Sequence, residues 1–172
     1  MVSTAAVIAA VGLGLVATAG TYARWNASSA IPASTIVAGS SGLAITPVSA
    51  FPSTPLAPGL VNRGSFTVTN TGNVSLALAV SGLTGPATPT TFSQALTVAV
   101  ASTTVANCAA GTYTPNWSGT FASWAAAAAG ATVAPGSSVN LCVSVALSSS
   151  VGTGAQGQSA PGIVVALKGT QP

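Results

Sequence analysis

Beyond Arg24 the chain shows no sustained 3.6-residue spacing of apolar side chains, and strict alternation recurs instead. That period of two is the pattern of half-buried strands. It predicts strands over 36–45, over 64–70 with Phe66 and Val68 inward, over 74–81 with Val74, Leu76, Leu78 and Val80 on one face, and over 95–100 with Leu96, Val98 and Val100. Two more are expected over 138–147, carrying Val139, Leu141, Val143, Val145 and Leu147, and over 162–168, carrying Ile163, Val165 and Leu167. The alternate positions are Ser, Thr, Ala, Asn and Lys, so each strand has one face to bury and one small polar face. The expected class is all-β.

Turn residues divide these runs. Asn70-Thr71-Gly72-Asn73 offers residues that tolerate positive φ between two alternating segments, which predicts a hairpin pairing 64–70 with 74–81. Ala57-Pro58-Gly59 and Ala134-Pro135-Gly136 each sit a few residues before an alternating run, as turns that launch a strand. The prolines at 47, 52, 55 and 58 make 47–59 a stiff connector or edge segment, since proline cannot donate within a central strand. It separates an N-terminal arm, 24–46, from a body at 60–172. The alanine run 125–129 has helical propensity but neither cap nor amphipathic face, so a loop with a short turn is expected there.

The first 23 residues carry no charged side chain and run apolar from Val7 to Ala19. As a secretory signal the segment ends in small residues at Thr21 and Ala23, which places cleavage between Ala23 and Arg24. As a retained helix it would reach about 34 Å, nominally enough for a bilayer. A basic n-region is absent, and Arg24 on the C-terminal flank would orient a retained span with the body inward. Contact with a membrane is therefore expected only through residues 1–23, and only if they are uncleaved.

Composition narrows function sharply. The 172 residues are 49% apolar and 2% charged, and the charges are Arg24, Arg63 and Lys168, with no Asp, Glu or His anywhere. Three dispersed cations cannot track a phosphate backbone, which argues against nucleic acid as a partner. General acid–base chemistry and metal ligation draw on the residue types this chain lacks, so no catalytic, metal-binding or cofactor-binding residues are assigned. What survives is a Ser–Lys pair through Lys168, or a thiol without a histidine base. Cys108 and Cys142 are the only cysteines. In an exported chain two cysteines usually pair, here closing a loop of roughly 35 residues worth about 3 to 4 kcal/mol. Trp117, Phe121 and Trp124 form the one cluster of large rings, read either as packing or as a binding loop for a cell-wall or matrix polysaccharide.

The order of these features resembles a known group. Thr21-Tyr22-Ala23, then Arg24-Trp25-Asn26 and Thr35-Ile36-Val37-Ala38-Gly39, are similar to the alternate signal-peptide region of the TasA/camelysin-like secreted proteins. Leu56-Ala57-Pro58-Gly59, the run Phe66 to Gly72, Val133-Ala134-Pro135-Gly136, Leu141-Cys142-Val143 and Gln156-Gly157-Gln158-Ser159 resemble its actinobacterial branch. The resemblance implies a jelly-roll or Ig-like antiparallel β-sandwich, exported to the cell surface or beyond. It also implies a homopolymer formed by donor-strand exchange, in which the arm of one subunit completes a sheet of the next. An arm behind a Pro-rich connector is suited to such strand addition, with Trp25, Ile31 and Ile36 as its anchors. Two alternatives stand beside the fibre: a monomeric binding module using the Trp117–Trp124 loop, and a filament or anchored protein that keeps the 1–23 helix. In all three the protein is not an enzyme. Assays of the purified protein for hydrolase, transferase and redox turnover are expected to read background, and activity that disappears on changing Lys168 or a cysteine would overturn that.

Overall fold

The computed structural model describes residues 39–49 and 55–172. The 1–23 segment, the cleavage point at Ala23/Arg24 and the anchors Trp25, Ile31 and Ile36 lie outside the described residues, as does the middle of the connector.

Eight strands are described: β1 (Leu43–Ser49), β2 (Val61–Asn70), β3 (Leu76–Thr84), β4 (Leu96–Ser102), β5 (Trp117–Thr120), β6 (Ala127–Val133), β7 (Ser138–Leu147) and β8 (Val164–Thr170). Two short helices interrupt them, α1 (Thr91–Gln94) and α2 (Val105–Ala110), each opened by a threonine whose hydroxyl accepts a backbone N–H of the first turn. The strands form an antiparallel sandwich, the all-β class expected from the alternation. One sheet has the order β1-β2-β7-β4-β5, and the other has β6-β3-β8. Within this, β1-β2-β7-β4 follows the A-B-E-D order of an immunoglobulin frame and β3-β8 its C-F pair. Of the two sandwich variants, the pairing is thus Ig-like. Strands β5 and β6 extend the two sheets beyond that frame, and no described residue fills the place of strand G beside β8.

The core is the packing of β3 across the centre of the larger sheet. Leu76, Leu78 and Val80 are fully buried, and so are Val68, Val98, Val100 and Leu141 opposite them. At about 25 cal/mol per Å² of apolar surface removed from water, each such side chain contributes roughly 1.5–3 kcal/mol.

The expected hairpin is not formed. β2 pairs with β1 and β7, whereas β3 pairs with β6 and β8, so 70–75 is an arch that carries the chain from one sheet to the other. Both runs put their apolar side chains toward the same interior, and only two strands in opposing sheets can do so face to face. Asn70 makes the arch possible. Its side chain is 0% exposed, donates to the carbonyls of Val74 (2.7 Å) and Val133 (2.9 Å), and accepts from the Gly72 N–H (3.0 Å). It therefore satisfies three backbone groups that a change of sheets would orphan.

Other boundaries moved. The strand expected over 36–45 is β1 at 43–49, with Pro47 on an edge strand beside a bulge, where a missing N–H costs no ladder bond. The alanine run does not form a loop, because β6 starts at Ala127, pairs Ala127 with Val80 and Ala128 with Ala79, and buries Ala129 completely. Small side chains suit the close approach of β6 to the opposing sheet, and Gly130 at φ 78° bends it there. Replacing Asn70 by Ala is expected to lower the unfolding free energy by about 3 kcal/mol in a denaturant titration. Thr69→Ala, at an exposed hydroxyl pair with Ser138, is expected to cost under about 1 kcal/mol.

Candidate functional site: the open side of the sandwich

Five strands face three, so one margin of the larger sheet has no strand above it. The β5/β6 side is closed. Trp117 is 5% exposed and its Nε1–H donates to the Ala125 carbonyl at 2.7 Å, while Phe121 packs on the core against Gly85. The opposite side, between β1 and β8, is an apolar groove of about 1270 Å³. Its floor includes Phe66 of β2 with Val143 and Val145 of β7, and Val165 and Leu167 of β8 form one wall. Those floor residues sit at the same inward parity as fully buried Leu141 yet are only partly buried. The difference is the missing cover, since β8 is the last described strand on that side.

At one end the groove narrows, because Leu43 of β1 and Leu76 of β3 close on Gly169 of β8, where even a Cβ would press on both leucines. At the other end Phe92, Leu96 and Leu147 line it together with the 151–160 segment. Ile45 (51% exposed) and Val164 (55% exposed) stand at its mouth. Among the described residues no charged one lines it. Among the described residues β8 pairs only with β3, so its outer edge presents main-chain donors and acceptors alongside this apolar trough.

The outer face of the larger sheet is organised differently. Cys108 of α2 and Cys142 of β7 form the expected disulfide, with S–S 1.99 Å and Cα–Cα 5.5 Å. Cys142 does lie on the outward face of β7, but that position is not open to water. α2 folds over it and buries Ala101, Cys108 and Cys142 in a second small core edged by Tyr113. Arg63 lies nearby against Gly111, the left-handed C-cap of α2. Its Nε is buried without a hydrogen-bond partner, and Nη1 donates weakly to the Val61 carbonyl at 3.5 Å. A cation at the last turn of a helix opposes the partial negative charge of its free carbonyls. Lys168 is exposed on β8.

The rings do not assemble a binding loop. Trp117 faces the core and Phe121 is partly buried against it, so Trp124, 38% exposed, is the most open of the three. Trp117 and Trp124 both lie against Gly119, but only Trp124 is exposed. Ring clustering in sequence could not separate the two outcomes, because the parity of a four-residue strand decides which way Trp117 points.

The arm expected over 24–46 ends in β1, whose residues 43–46 pair with Thr67 to Asn70 of the same chain. The donor segment, 24–36, lies outside the described residues. Among the described residues no helix is long and apolar enough to cross a membrane. Comparison with protein-family models, with curated proteins and with solved structures finds no match to this chain.

Two measurements follow from this geometry. Full reduction, or Cys108→Ser with Cys142→Ser, is expected to cost about 3 to 4 kcal/mol of unfolding free energy, from loss of a loop closure across 34 residues of separation. With no Asp, Glu or His in the sequence, no side chain of the usual titrating types exchanges protons on unfolding across about pH 5 to 7. The melting temperature is expected to be flat over that window, where ordinary domains slope.

Proposed function

We propose that the chain is an extracellular structural subunit that polymerises into surface or biofilm-matrix fibres by strand addition. Residues 24–36 of one copy complete the open side of the next. The groove beside β8 carries this reading. It stands where an immunoglobulin frame holds strand G, and it combines a main-chain edge that no described strand pairs with an apolar trough, the two features that strand addition uses. A strand laid there would gain several main-chain hydrogen bonds at about 1 kcal/mol net apiece, and would cover Phe66, Val143 and Val145. The likeness of the motifs to TasA/camelysin-like proteins supports the same reading.

The arm's sequence suits the site. Trp25 and Ile31 are six residues apart and share a face of an extended strand, so both can point into one trough. Ile36 is five beyond Ile31 and has the opposite parity, so in a regular strand it faces outward. Uncharged walls match an arm whose only charge is Arg24 at its start. With so little charge on either partner, assembly should depend weakly on ionic strength.

Deletion of 24–36 from the mature form is expected to leave a folded monomer, because every strand from β2 onward keeps its partners. Negative-stain microscopy should then show no filaments, and a synthetic 24–36 peptide should block growth of intact subunits. Val143→Lys, on the groove floor, should also abolish filaments while keeping the fold by circular dichroism. Filaments of unchanged form from either variant would transfer the assembly to lateral packing or to a retained 1–23 helix.

A further inference from the structure

The segment joining β7 to β8, residues 148–163, does more than connect them. Its stretch 151–160 lines the end of the groove where Phe92, Leu96 and Leu147 meet. Little apolar contact holds it there. Val151 is partly buried and Ala155 buried, while 152–154 and 156–159 are exposed. Gly152, Gly154, Gly157 and Gly162 fall within eleven residues, and a Cβ at any of them would meet nothing within 4 Å. These glycines therefore do not serve close packing. Gly157 (φ 69°) and Gly162 (φ 73°) supply the left-handed turns that fold the strap back to β8.

What fastens the strap is polar. The Gln158 Oε1 accepts the Phe92 N–H at 3.0 Å, and its Nε2 donates to the Gly154 carbonyl at 2.7 Å. Phe92 lies in the first turn of α1, where a backbone N–H has no partner within the helix, so Gln158 supplies an acceptor that α1 lacks. The side chain is exposed, and water can take over either bond. A segment with few buried contacts, fastened at an exposed side chain, belongs to the low-stability part of a fold.

We infer that residues 151–160 are a lid on the strand-acceptor groove, latched by Gln158 on α1, and that its opening sets how fast a strand enters. This rests on the reading of the groove as a strand acceptor. While latched, the lid closes the end at Phe92, Leu96 and Leu147, and the Leu43–Gly169 contact narrows the other end, so an incoming strand finds only the middle of the trough. Released, it frees the full length beside β8. The device keeps newly made subunits from capturing extended segments at random, because the longest apolar stretch is presented only transiently.

The test uses the full chain in three forms: unchanged, Gln158→Ala, which removes the latch, and Gly152→Pro, which stiffens the hinge at a residue whose φ of −74° proline also adopts. Three quantities are read: amide exchange over 151–160, the rate of uptake of the apolar dye anilinonaphthalene sulfonate, and the association rate of a synthetic 24–36 peptide. Gln158→Ala is expected to raise exchange at least tenfold and both rates several-fold with the melting temperature unchanged, and Gly152→Pro to lower both rates. Equal exchange and equal dye uptake in all three forms overturn the lid, as does a peptide that binds all three at one rate. If exchange and dye uptake respond but the peptide binds none of them, the lid stands and the strand-acceptor reading fails.

Discussion

The apolar face of the five-stranded sheet leaves water only where the three-stranded sheet lies over it, and the unequal widths govern both the core and the site. Where β3 covers β2, β7 and β4, Leu78, Val68, Val98 and Leu141 are sealed. Two and four positions along β7 from Leu141, Val143 and Val145 stay half-covered because β8 is the last described strand of the upper layer. Sealed and half-covered positions therefore belong to the same inward face of one sheet. Most of the fully buried side chains lie under β3, with Leu96, Val98 and Leu141 reaching the groove as well, while Phe66, Val143 and Val145 stay only partly covered by the described residues.

Much of this was legible along the chain, and what was not has identifiable causes. Alternation located β2, β4, β7 and β8 within a residue or two at most ends, because inward Phe, Val and Leu alternate there with mostly smaller or polar residues. It could not say which strands pair. Asn70-Thr71-Gly72-Asn73 has the composition of a hairpin turn and of a sheet-crossing arch alike, and only the buried side chain of Asn70, bonded to Val133 sixty-three residues away, decides between them. β6 was hidden because alanine carries no strand signal, its role being the space it leaves beside β3. The groove was hidden for a different reason: Phe66 and Val143 read as core residues by period, and whether a strand lies above them is a property of the topology.

Scarcity of charge shapes the surface through hydrogen bonds. On the outer face of the large sheet the Thr67 hydroxyl donates to Asn140 Oδ1 at 2.9 Å, and Thr69 and Ser138 share a bond of 2.8 Å, so cross-strand hydroxyl and amide pairs stand where other sheets place ion pairs. Such pairs neither repel nor attract at a distance. Covering the remaining outward apolar positions falls to α2, pinned by the Cys108–Cys142 bridge, and there the disulfide closes a second small core that a helix of six residues could not hold down alone.

A sheet edge without a partner strand is an aggregation hazard, and the usual defence is charge on the edge strand. β8 carries one cation, Lys168, which is too little to keep identical edges apart by repulsion in a chain with no acids. The trough is tight at one end, where Leu43 and Leu76 close on Gly169, is lined by apolar side chains in its middle, and is bordered at the other end by the strap that Gln158 bonds to α1. The strand addition proposed above would call for a segment that is extended, uncharged and of the right period. Trp25 to Ile31 has that composition, with Pro32 directly after it, whereas the 47–59 connector carries four prolines, each of which removes a main-chain donor.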